Sequence, residues 1–225
     1  MVIKMNELFS KFNIKPKNES VYEQAFIHTS YAYEHNTSSY EKLEFLGDAI
    51  VDLVVSDYLY NEKNYEEGRM TKERASYVCE NALSEYASDL NFSKYIKVGN
   101  GEASSDGVHK KAILADVFEA FMAAIYLDQG FTKVREILLS IIVPYIENPD
   151  KLFFSDYKSE LQETVQDLQK SLNYELVEET GPAHDKRFNI CIKIANMIYG
   201  TGIGHSKKEA EQEAAKEALK KLVKQ

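Results

Sequence analysis

Glu41-Lys42-Leu43-Glu44-Phe45-Leu46-Gly47-Asp48 is the stretch on which the reading of this chain turns. In a helix, successive side chains are about 100° apart, so Glu44 falls about 60° from Glu41 and Asp48 falls between them. Three carboxylates therefore share one helix face, while Leu43, Leu46, Ala49 and Leu53 supply apolar positions. Acidic residues on a helix are most often a solvated face, and Glu41 and Glu44 alone fit that ordinary reading. A second pair does not. Asp116 and Glu119 stand three residues apart in Ala112-Ile-Leu-Ala-Asp116-Val-Phe-Glu119-Ala-Phe-Met-Ala-Ala124, a segment too apolar for a surface helix. Burying unpaired charge is costly, so these carboxylates must be paired or must hold something cationic. Oxygen ligands suit a hard ion such as Mg²⁺ or Mn²⁺. Asp52 lies one turn beyond Asp48 on the same face, where a supporting or purely surface role fits it best.

Around this stretch, residues 1–146 read as almost wholly helical. Apolar residues recur at helical spacing from Leu43 to Leu59, Arg74 to Leu90, Lys111 to Leu127 and Val134 to Ile146, and Gly99 to Gly107 reads as a loop. Asn148-Pro149-Asp150 ends the helical run and marks a boundary. Beyond it the periodicity changes. Leu161, Val165, Leu168 and Leu172 mark a helix, and Tyr174 to Glu179 a strand. Phe188, Ile190, Ile192 and Ile194 alternate as a half-buried strand does. Met197 to Tyr199 forms a third strand, ended by the Gly200 to Gly204 cluster. Ser206 opens a last helix with Glu209 completing a capping box, and Ala210, Ala214, Ala218 and Leu222 form its inner stripe. The expected architecture is an all-α domain followed by a small α+β domain of order α-β-β-β-α, with helices on one face of an antiparallel sheet.

The 225 residues carry a net charge of −9. Residues 151–225 hold 12 basic and 12 acidic side chains, so the whole excess lies in residues 1–150. An acidic domain repels a polyanion unless cations bridge the two. No stretch approaches the run of about 20 apolar residues that spans a bilayer, and residues 1–15 lack the apolar core of a signal peptide. The two cysteines, Cys79 and Cys191, have no metal-ligand spacing and suit a reducing compartment. A cytoplasmic protein is expected.

These motifs resemble the ribonuclease III family. Glu41–Asp48 looks like its signature, Ile113-Leu-Ala-Asp116-Val-Phe-Glu119 is similar to its second acidic motif, and Glu67-Gly68 to a third acidic position. The resemblance covers essentially the whole chain. It implies an endonuclease domain over residues 1–147, a linker over 148–155 and a double-stranded-RNA-binding domain over 156–225. It implies metal ligands at Glu44, Asp48, Asp116 and Glu119, catalytic roles for Asp48 and Glu119, and supporting or substrate-contacting roles for Glu41 and Glu67. The activity implied is endonucleolytic hydrolysis of double-stranded RNA, with Mg²⁺ as cofactor and Mn²⁺ able to substitute, leaving 5′-phosphate and 3′-hydroxyl ends with short 3′ overhangs. Processing of ribosomal RNA precursors and some messenger RNAs is the implied cellular work. The loop Asp106-Gly107-Val108-His109 departs from the family, which usually has a Gly-Gly pair and an arginine nearby.

Two further expectations concern partners. Phe45, about 40° round the helix from Glu41, would ordinarily be a core residue. The resemblance implies instead that it plugs into a second copy, giving a two-fold homodimer with one carboxylate cluster per RNA strand. At the other end of the chain, Lys207 and Lys208 follow Ser206 at a helix N-terminus, a place already primed for anions. By resemblance Ser206, Lys207 and Lys208 meet phosphates, while Gln162, Glu163 and His184 meet minor-groove edges and 2′-hydroxyls. His205 stands where the family often has lysine.

Overall fold

In the computed structural model the described residues are 5–148, 157–182 and 186–222. The chain divides into two compact units, Met1–Phe154 and Ser155–Gln225.

The first unit is helical: α1 (Asn6–Lys11), α2 (Glu19–Gln24), α3 (Thr29–His35), α4 (Glu41–Glu62), α5 (Glu67–Val78), α6 (Glu80–Asp89), α7 (Asn100–Ser104), α8 (Lys111–Gln129) and α9 (Phe131–Ile146). Its centre is α8. Val117, Phe118, Ala120, Phe121, Met122, Ala123, Ala124 and Ile125 are all fully buried, as expected of a helix that is apolar all round. Rings from three directions pack on it, with Tyr22, Phe26 and Phe92 lying 6.0, 5.7 and 5.1 Å from Phe121. Asp128 ties the end of α8 to the segment before α2, accepting from the Lys17 and Asn18 amides and the Tyr22 hydroxyl.

The most extensive helix–helix contact is α4 against α8, and Gly47 decides how close they come. A Cβ there would lie 2.0 Å from the Glu119 carbonyl oxygen, so only a residue without a side chain permits this approach.

Two expected helical features differ in detail. The apolar pattern from Arg74 to Leu90 is two helices, broken where Cys79 takes an extended conformation (ψ 160°). At the break the Tyr86 hydroxyl donates to the Tyr77 carbonyl at 3.2 Å, linking the two helices. The expected loop from Gly99 to Gly107 contains α7, and a 3₁₀ turn follows at Gly107–His109.

The second unit has α10 (Tyr157–Asp167), then strands β1 (Leu172–Thr180), β2 (Arg187–Ile194) and β3 (Met197–Gly204), then α11 (Lys207–Leu222). The strands are antiparallel in the order β1-β2-β3. Leu161 and Val165 of α10 and Ala214, Ala215 and Ala218 of α11 bury Ile192, Ile194 and Tyr199 on one sheet face, the expected α-β-β-β-α arrangement. Ala195-Asn196, at φ 49° and 64°, make the tight turn into β3. The Gly200 to Gly204 cluster was expected to end this strand but instead continues it. A Cβ on Gly200 or Gly202 would meet the Ala214 or Ala210 carbonyl oxygen at 2.1 or 2.2 Å, so the glycines let α11 lie directly on the strand.

No described helix is long and apolar enough to cross a membrane.

Candidate active site

The Gly47 contact brings four of the six expected acidic residues together. Glu44 and Asp48 project from α4, Asp116 and Glu119 from α8, and Glu119 feels the charges of the other three. Glu119 is half-buried and its carboxyl is pushed up to about 8. Desolvation is the main cause, followed by the negative charges of Asp48, Glu44, Asp116 and Asp52. Glu44 is raised by desolvation and then by Asp116, Glu41 and Asp48. Asp116 is also raised, chiefly by desolvation, although the Tyr40 hydroxyl opposes this by donating to its Oδ2 at 2.9 Å. Burial of like charges is unfavourable in the absence of a counter-ion.

Among the described residues, no three acidic, imidazole or thiol groups already stand close enough to hold an ion as placed. The donor set nevertheless fits a hard divalent cation: carboxylate oxygens from two facing helices, partly dehydrated and mutually repelling. A bound cation would offset the repulsion among them.

A consequence for stability follows from Glu119. Its folded pKa lies above the unfolded value of 4.5. Between the two, the unfolded chain gives up a proton that the folded chain retains, so stability is lost as pH rises from about 5 to about 8. Melting curves of the metal-free protein are expected to show the first unit about 5 °C less stable at pH 8 than at pH 6, with Mg²⁺ abolishing most of the difference. A pH-independent melting temperature would contradict this electrostatic description.

Other expected site residues lie apart or at the edge. Glu41 is exposed, accepts from Ser39 Oγ and acts on Glu44 from the margin. Glu67 opens α5 outside the cluster and lines a cavity of about 390 Å³ between α4 and α5, with Leu53, Tyr60, Met70 and Arg74. Asp52 contributes to the field at Glu119. Phe45 does not pack into the core: it is 83% exposed. Ala49 and Leu53, two of the apolar positions of this helix, are exposed with it, forming an uncovered apolar stripe along α4.

In the second unit Gln162 is exposed on α10, and Lys207 and Lys208 are exposed at the start of α11. Ser206 Oγ caps that helix, accepting from the Glu209 amide at 3.1 Å. The Glu209 carboxylate reaches the His205 amide, one residue earlier than a standard capping box. The Lys207 ammonium lies 5.9 Å from the centre of the Phe188 ring. The Glu163 side chain and His184 lie outside the described residues.

Two residues of this site were not singled out from the sequence. Gly47 had a signal, since glycine inside a strongly helical run points to close packing or function. Tyr40 had none, because its partner Asp116 is 76 positions away.

Both units are similar to known proteins. Residues 18–146 match the family model described as ribonuclease-III-like, and residues 157–222 match the double-stranded RNA binding motif. Ribonuclease 3 of Onion yellows phytoplasma (strain OY-M) is 43% identical over 219 residues, covering 96% of this chain and 91% of that one. Ribonuclease 3 of Listeria monocytogenes serovar 1/2a is 46% identical over 212 residues, covering 92% and 93%. Among solved structures, the ribonuclease III nuclease domain from Campylobacter jejuni aligns with a TM-score of 0.59 at 32% identity, over 63% of this chain and 97% of that one. With its helical acidic unit and its α-β-β-β-α unit, the chain belongs to the ribonuclease III family of double-strand-specific endoribonucleases.

Proposed function

We propose that this chain hydrolyses double-stranded RNA with a metal-activated water, leaving 5′-phosphate and 3′-hydroxyl ends with short 3′ overhangs. The observation that carries the reading is the α4–α8 approach at Gly47, which gathers Glu44, Asp48, Asp116 and Glu119 into one repelling group. These four residues would hold the divalent cation, Mg²⁺ with Mn²⁺ as a substitute, consistent with the metal dependence general in the family. When bound, such an ion lowers the pKa of a water and stabilises charge on the phosphate and leaving oxygen. Asp48 and Glu119 are assigned as the catalytic pair, and Glu119, whose carboxyl is pushed up to about 8, would give up a proton on holding a cation. Glu41 and Glu67 support the site or contact substrate from its edges.

Substrate is held by the second unit. Gln162, Glu163 and His184 are assigned to the minor groove, and Ser206, Lys207 and Lys208 to phosphates. The acidic first unit then meets RNA closely only where cations neutralise it.

A homodimer is the working form. The exposed Phe45, Ala49 and Leu53 stripe supports this, since an uncovered apolar face marks an interaction surface. So does the Campylobacter jejuni nuclease domain, which has a region involved in dimer formation. Ribosomal RNA precursors and some messenger RNAs in the cytoplasm are the proposed substrates.

The test is incubation of the full chain with an end-labelled RNA duplex in Mg²⁺ or EDTA, followed by mapping of the ends. Cleavage is expected only with metal, and only with 5′-phosphate products. Cleavage that persists in EDTA would refute the reading. Turnover of small phosphoesters with duplex RNA left intact would replace it with a small-molecule phosphohydrolase.

A further inference from the structure

Tyr40 lies at the start of α4 and is fixed by interactions on several sides. Its amide donates to the Ile27 carbonyl at 2.9 Å, and its own carbonyl accepts from the Leu43 and Glu44 amides at 2.8 and 2.9 Å. Its side chain is buried, at 2% exposure. From there the hydroxyl reaches across to α8 and donates to Asp116 Oδ2 at 2.9 Å. Tyr40 thus spans the two helices that supply the four clustered carboxylates.

The ring is braced from behind. The His28 imidazole packs against it, with centroids 5.8 Å apart and planes inclined at 59°. His28 is itself oriented, because Nδ1 accepts from the Ser30 amide at 3.2 Å and lies 2.8 Å from Ser30 Oγ. Nδ1 therefore carries a lone pair, which in the neutral ring puts the proton on Nε2. Ser30 Oγ in turn accepts from the Gly99 amide at 2.8 Å. A continuous line of polar and ring contacts runs from the backbone just before α7, through Ser30 and His28, to Tyr40 and Asp116.

We infer that Tyr40 is a positioning residue, whose hydroxyl holds Asp116 in the orientation that offers its other carboxylate oxygen to a divalent cation. The inference rests on the metal reading above. Carboxylates that bind metals are oriented by hydrogen bonds from outside the coordination sphere, and loss of one such partner commonly weakens metal binding or activity by about 10- to 100-fold. Here the device is well placed. One oxygen of Asp116 is engaged by a rigid, buried donor, and a phenol that deep stays protonated, since desolvation and the neighbouring Asp116 both oppose its ionisation. The bond also limits the rotamers that Asp116 can adopt when like charges push it away from Glu44 and Glu119.

The test uses Tyr40→Phe in the full chain, which keeps the buried ring and removes only the donor. Mn²⁺ titrated alone into the metal-free protein, followed by calorimetry, is expected to bind the variant about tenfold more weakly than the wild type. The Mg²⁺ concentration giving half-maximal duplex cleavage is expected to rise in parallel. Saturating Mg²⁺ restores kcat to within about threefold, and duplex affinity measured in Ca²⁺ stays unchanged. Equal Mn²⁺ affinity in the two proteins would overturn the inference. So would a loss of activity that saturating Mg²⁺ fails to restore and that tracks a fall in melting temperature, the mark of a merely structural residue. A wild-type protein that binds no Mn²⁺ would overturn the metal reading, and this inference with it.

Discussion

Asp116→Ala is expected to abolish duplex cleavage while leaving the protein folded and able to bind duplex RNA in Ca²⁺. The loss should exceed about a hundredfold, because removing even the outer hydrogen-bond partners of metal ligands costs about 10- to 100-fold and Asp116 is assigned to the ligand set itself. The effect on folding is small because two changes oppose each other. The Tyr40 hydroxyl loses the acceptor it now has at 2.9 Å. At the same time Glu44 and Glu119 are relieved of a neighbouring charge that raises both their pKa values. The signature is therefore a dead enzyme with a melting temperature near that of the wild type. Cleavage at the wild-type rate, measured on a labelled duplex with saturating Mg²⁺, would remove Asp116 from the site.

Gly47→Ala is expected to have the opposite signature, with the fold itself failing. On helix propensity alone the change is favourable by about 1 kcal/mol. Packing overrides this, since the new methyl carbon would stand 2.0 Å from the Glu119 carbonyl oxygen and 2.4 Å from its carbonyl carbon. These are backbone atoms in the middle of a buried helix and have nowhere to go. Overpacking against yielding side chains costs about 1–3 kcal/mol, so a rigid contact here is expected to cost at least about 3 kcal/mol. Any α4–α8 pair that survived would be prised apart at the carboxylates, and activity would fall with stability. Thermal denaturation of the variant measures this directly. A melting temperature equal to or above the wild type's would mean that the two helices do not meet as described.

Why some of this architecture was readable from sequence, and some was not, has a physical basis. Local periodicity marked α4, α8 and the strict alternation of β2, because burial on one face imprints itself on consecutive residues. The pairing of Asp116 with Glu119 in an apolar segment pointed to a site, because buried charge needs a reason. Features set by contact between distant segments were not legible. The break at Cys79 carries neither Pro nor Gly, and the Tyr77 carbonyl beside it accepts from Tyr86 of another helix. The glycines of β3 read as a strand end, and only the position of α11 explains why they continue the strand. Phe45 differs: spacing alone favoured the core, the family resemblance implied a surface contact, and the side chain is 83% exposed. Tyr40 reaches Asp116 across 76 positions, a link that no local pattern encodes.

Acidic side chains from α4 and α8 are proposed to close together on a divalent cation. Anomalous diffraction from a crystal of the full chain soaked in Mn²⁺ tests this most directly. A Mn²⁺ peak bounded by the carboxylates of Glu44, Asp48, Asp116 and Glu119 is expected. A Mn²⁺ peak on other residues with this cluster empty, or no bound Mn²⁺ at all, would contradict it.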